Sequence, residues 1–70
     1  MRITVRIRYG ATKTSIESFG NNRYLIYLIS KEDEDPESEL LALLSQKLGT
    51  PLSKIQLVQD NGKDKILDLG

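Results

Sequence analysis

Residues 35–51 read Asp-Pro-Glu-Ser-Glu-Leu-Leu-Ala-Leu-Leu-Ser-Gln-Lys-Leu-Gly-Thr-Pro, and they decide what kind of fold the chain can make. Asp35 can cap free backbone N–H groups, and Pro36 suits the first helical position, where no N–H is needed. Glu37 and Glu39 fall in the first turn, at the positive end of the helix dipole. Leu40, Leu41, Leu43, Leu44 and Leu48 cover one broad side. Gly49 can close the helix in a left-handed conformation, and Pro51 prevents its continuation. The spacing predicts one helix over residues 36–48, with a leucine face that must be buried on something else.

That something is written on either side of the helix. Residues 2–9 alternate strictly, with Ile3, Val5, Ile7 and Tyr9 on one face and Arg2, Thr4, Arg6 and Arg8 on the other, which is the period of a half-buried strand. Gly10 ends it. Thr14 to Phe19 is less regular and reads as an extension of the strand past a bulge or as a second arm. Gly20-Asn21-Asn22 is a turn, because these residues tolerate positive φ. Residues 23–29, Arg-Tyr-Leu-Ile-Tyr-Leu-Ile, form an unbroken apolar run. They predict a strand covered on both faces or nearly so, antiparallel to the first through the turn. After the helix, Ile55 to Gln59 and Lys65 to Leu69 read as two strands joined by a hairpin at Asp60-Asn61-Gly62-Lys63. The expected fold is α+β: two layers in the order β-β-α-β-β, one four-stranded sheet with a single helix packed on one face.

The chain has 70 residues, enough for one domain with a thin core and no deep substrate cavity. It has no cysteine and no histidine. Disulfides, Cys/His zinc sites and Ser–His–Asp or Cys–His catalysis are therefore excluded. No stretch approaches the roughly 20 apolar residues of a membrane-spanning helix, and no apolar leader follows Met1, so a cytoplasmic protein is expected. Ten basic residues balance ten acidic ones. Their distribution is uneven: Arg2, Arg6, Arg8, Lys13 and Arg23 lie in the first third, and Glu32, Asp33, Glu34, Asp35, Glu37 and Glu39 are gathered between residues 31 and 40.

Short motifs resemble the YggU-like family of small conserved proteins of unknown function. Gly10-Ala11, followed by Lys13 and Ile16, is similar to the family's Gly-Ala-Lys element after the first strand. Leu48-Gly49-Thr50-Pro51 is similar to its Leu-Gly-x-Pro helix exit. Ser53, Ile55, Leu57 and Val58 resemble its next strand, and Lys63-Asp64-Lys65 resembles its Arg-Asp-Lys. The departures concern polar positions. Tyr9 stands where the family often has Pro, Asp-Glu-Asp-Pro-Glu-Ser (residues 33–38) replaces its Gly-Lys-Ala-Asn signature, and its C-terminal helix has no counterpart. The element order and the Leu-Gly-Thr-Pro exit are also similar to ubiquitin-like β-grasp domains. The single Gly70, with no Gly-Gly, speaks against a conjugated modifier.

Three surfaces are candidates for binding. The family resemblance implies an anion site where Lys13, Lys63 and Lys65 converge, and Arg2, Arg6 and Arg8 on one strand face are candidates for binding the phosphates of RNA or DNA. The bland alternative is a solvated face whose arginines discourage aggregation, and the balanced net charge favours it. Tyr24 and Tyr27 lie on opposite faces of their strand, so one at most can join the arginines in stacking bases. Glu32, Asp33 and Glu34 are candidates for docking a basic partner. They lack the spacing of an EF-hand. Glu17, Asp60, Asp64 and Asp68 offer carboxylates, but nothing in their spacing selects a catalytic pair. No cofactor and no metal is implied. The reading is a non-enzymatic module for an unknown protein partner, with weak nucleic-acid binding as its alternative.

Overall fold

The computed structural model describes residues 1–70. It has five strands, β1 (Arg2–Arg8), β2 (Ser15–Ser18), β3 (Arg23–Tyr27), β4 (Gln56–Asp60) and β5 (Asp64–Asp68), and one helix, α1 (Pro36–Leu48), between β3 and β4. A single 3-10 turn, Leu52–Lys54, leads into β4. The α+β class, the single helix and its bounds are as the sequence predicts. The strand count is not. Residues 15–18 form a strand of their own, so the sheet has five strands in the order β2-β3-β1-β5-β4.

The pairing of β3 also differs from expectation. It runs parallel to β1, with Thr4 beside Arg23 and Arg8 beside Tyr27. The turn at Gly20-Asn21-Asn22 does form, with φ of 79°, 51° and 60°, but it joins β2 to β3. Parallel neighbours cannot share a tight turn, because the chain must travel back before it can run in the same direction again. The loop after β1 and strand β2 make that return. On the other side β5 lies antiparallel to β1 and closes a hairpin with β4, where a bulge at Val58 interrupts the register. In the hairpin turn only Gly62 has positive φ, and Asp60 Oδ1 accepts its N–H at 2.8 Å.

The three central strands bury one face. Ile3, Val5 and Ile7 of β1, Ile26 and Leu28 from β3 and its exit, and Leu67 and Leu69 from β5 and its exit meet Leu40, Leu43 and Leu44 of the helix. The other face has no second layer. The apolar run 23–29 is therefore covered on one side only: Tyr24 and Ile26 face the helix, while Leu25 and Tyr27 share the open face with Arg6 and Arg8. The helix ends as expected, Gly49 adopting φ 70° and donating to Ser45 O. Its start differs. Asp35 makes no side-chain cap and instead accepts the Ser38 hydroxyl at 3.0 Å. At the sheet's other end Leu69 N–H donates to Met1 O at 2.7 Å.

Glu39 ties the helix to the strand connections. Its carboxylate accepts the Ile29 and Ser30 backbone N–H groups, each at 3.0 Å, and the Thr14 hydroxyl. Burial alone pushes its pKa up. The bonds from Thr14, Ser30 and Ile29 outweigh burial and bring it down from 4.5 to about 2. A carboxylate with a depressed folded pKa stabilises the fold fully above its unfolded pKa and loses that contribution as pH falls through the folded value. Stability is thus expected to fall between about pH 5 and pH 2. Glu39→Gln should cost about 2 kcal/mol near neutrality and flatten that acid limb, as read from urea denaturation at several pH values.

Candidate binding surfaces

The open sheet face gathers Arg2, Thr4, Arg6 and Arg8 of β1 with Arg23, Leu25 and Tyr27 of β3 and Asp64, Ile66 and Asp68 of β5. Period-two alternation places them there. Arg6 forms a two-pronged ion pair with Asp64, at 2.9 and 3.3 Å. The hydrogen bond and the opposite charge hold the Asp64 carboxyl below its usual range and raise the Arg6 guanidinium. Arg2 lies 4.0 Å from Asp68. Asp68 is held low first by the Gly70 N–H and further by the charges near it. Arg8 and Arg23 pair with no carboxylate. With Glu17 of β2 on the same side, four arginines meet three carboxylates, so the face is close to neutral.

The predicted basic cluster is divided. Lys63, in the β4–β5 turn, lines a shallow hollow with Arg6 and Arg8. Lys13 is exposed in the loop after β1 and lines none of these hollows. Lys65 faces the other way. It is opposite Val5 on the helix side, 8 % exposed, with its ammonium 2.6 Å from Asp60 Oδ1. The sequence carried a signal for this: Lys65, Leu67 and Leu69 share one phase of the alternation, and Ile66 and Asp68 the other. Lys65 therefore does not join an anion site with Lys13 and Lys63.

Lys65 belongs instead to a hollow of about 280 Å³ between the first turn of α1 and the β4–β5 hairpin. Its floor is Leu40, Leu41, Leu57 and Leu67, and Glu32, Asp35, Glu37 and Asp60 stand around it. The hydrogen bond from Lys65, aided by the Gly62 N–H, keeps Asp60 below its usual pKa. Tyr9 donates its hydroxyl to Gly62 O at 2.9 Å. Burial pushes this phenol above its ordinary value; Lys65 opposes that shift, and Glu32 and Asp60 reinforce it. Of the predicted acidic docking set, only Glu32 lines the hollow. Asp33 is exposed and does not line it, and Glu34 accepts the Lys31 N–H at 2.8 Å within its own loop. Asp35 and Glu37, at the start of α1, complete the rim. No three of these carboxylates are placed to hold a metal ion.

The third surface is the β4 edge, which has no strand beyond it. Large exposed apolar side chains are few, and three of the six lie in β4 or the turn before it: Leu52 at 56 %, Leu57 at 37 % and Val58 at 44 % exposure. Leu57 pairs with the buried Leu67 and so points to the helix side, where it floors the hollow. Leu57 thus belongs both to the edge strand and to the lining of the hollow.

No helix is long and apolar enough to cross a membrane. Comparison with protein-family models, with curated proteins and with solved structures matches nothing to this chain.

Lys65→Met should leave stability within about 1 kcal/mol, because an apolar side chain of similar length replaces a desolvated cation. Asp60→Ala strands that cation and also removes the acceptor of the Gly62 N–H, and together these should cost about 2 kcal/mol. Equal losses for the two variants in urea denaturation would show that Lys65 contributes by its charge.

Proposed function

We propose that this chain is a small YggU-like protein that acts as a non-enzymatic protein-interaction module. The kinship rests on the sequence motifs at Gly10-Ala11, Leu48-Gly49-Thr50-Pro51 and Lys63-Asp64-Lys65. The interaction role rests on one observation: β4 is an edge strand open on one side, with exposed Leu57 and Val58 beside a hollow floored by leucines. Edge strands are normally guarded by lysines or covered by another element. Here the residues Gln56-Leu57-Val58-Gln59 carry no charge, Asp60 at the strand's end is taken up by Lys65, and only the bulge at Val58 interrupts the edge between them. An edge of this kind receives an added strand, with main-chain bonds giving affinity and side-chain pockets giving selectivity.

Peptides selected from a display library should lose about tenfold or more in affinity for the double variant Leu57→Lys, Val58→Lys, as measured by fluorescence anisotropy. Unchanged affinity would move the interaction away from β4.

A second reading, weak binding of single-stranded RNA or DNA on the open face, is favoured by one feature. Arg8, which has no ionic partner, lies beside Tyr27, and Phe19 lines the same basin as Arg8 and Arg23. Aromatic rings beside free arginines suit stacked bases and phosphates. This reading expects salt-sensitive anisotropy with labelled oligonucleotides that disappears in Arg8→Glu. No binding at low salt removes it.

A further inference from the structure

We infer that the strand added at β4 is an extended segment of another protein carrying an arginine or lysine on the side that faces α1. This rests on the edge-strand reading above and names the chemistry of the partner.

Three observations select that side chain. The groove is apolar at its floor and anionic at its rim. The floor is Leu40, Leu41, Leu57 and Leu67, and of the four rim carboxylates only Asp60 has a cationic partner. Glu32, Asp35 and Glu37 pair with no cation of this chain. The one cation inside, Lys65, is already taken by Asp60. The carboxylates are spread around the opening rather than gathered at a point, and no three could share a metal ion. That arrangement suits a long side chain with a delocalised or mobile charge more than a bare ion. The hollow, of about 280 Å³, has room for one long side chain. It suits a side chain of a bound peptide. Arginine and lysine combine the two parts needed, an apolar stem for the leucine floor and a charged head for the rim.

The edge supplies the orientation. Successive residues of an added strand point alternately to the two faces of the sheet. One set enters the groove beside Leu57 and the other meets the open face. A basic residue in the groove, flanked two positions away by aliphatic residues that rest on Leu52 and Leu57, is the pattern expected.

The test uses three blocked peptides of alternating threonine and valine that differ only at the central residue: arginine, glutamine or glutamate. Each is titrated into the isotopically labelled full chain. The arginine peptide is expected to bind about tenfold tighter than the glutamine peptide at low salt, to shift the Leu57 and Val58 amide resonances, and to lose that advantage in the double variant Glu32→Gln, Glu37→Gln. Both positions are exposed, so the variant should fold. If all three peptides shift β4 with equal affinity, the edge reading stands and the charge selection is overturned. Tighter binding of the glutamate peptide overturns it too, pointing to the free N–H groups of the helix start. If no peptide shifts β4 and sedimentation shows a monomer, both readings fail. A β4-paired dimer that excludes the peptides would make a second copy the occupant and overturn the inference.

Discussion

Everything else in this domain follows from the parallel pairing of β1 with β3. Two strands that run the same way cannot be neighbours in a hairpin, so the chain has to come back between them. Here it does so with a loop and the short strand β2, which becomes one edge of the sheet. The return leaves three chain segments to be fixed against each other: the loop after β1, the exit from β3, and the helix. A single carboxylate, Glu39, does this by accepting from Thr14, Ile29 and Ser30 together. Its charge is stabilised by donors rather than by a cation, so the clamp is insensitive to salt but sensitive to acid.

The sheet is wider than its cover. A helix of 13 residues spans the middle of five strands and buries Ile3, Val5, Ile7 and their neighbours, and it leaves the flank at β4 partly bare. Leu57 is on the core side of the sheet yet well exposed, and that is how the groove arises. The opposite face has no cover at all and is kept solvated by arginines and carboxylates. Exposed ion pairs such as Arg6–Asp64 contribute little to stability, roughly 0–1 kcal/mol each. Their larger effect is to occupy charges that would otherwise make the face strongly basic.

Local structure was legible and distant pairing was not. The helix bounds, the alternation of β1 and the hairpin between β4 and β5 each follow from residues close in sequence: Pro36 and Gly49, the Ile-Val-Ile row, Asn61-Gly62. The direction of β3 does not, because nothing in residues 23–27 records which neighbour they will meet. The continuous apolar run suggested two covered faces, but a chain this short has only one other layer to offer, so Leu25 and Tyr27 are left on the open side. Among the site residues, Arg6 and Arg8 are legible from period two, and the same period in β5 puts Lys65 in phase with Leu67 and Leu69. The groove was not legible at all. It joins Asp35 and Glu37 to Leu57 and Asp60 across the whole of the helix, and only the fold brings them together.

The bond between Leu69 and Met1 has a mechanical consequence. β1 and β5 are antiparallel neighbours, and the two ends of the chain emerge at the same rim of the sheet. Tension applied between those ends would not load the ladder all at once in shear. It would peel β5 from β1 one rung at a time, starting at Met1 and moving toward the Arg6–Asp64 pair. A domain tethered at both ends would therefore yield at low force, and β1, the floor of the core, would be among the first elements to come free.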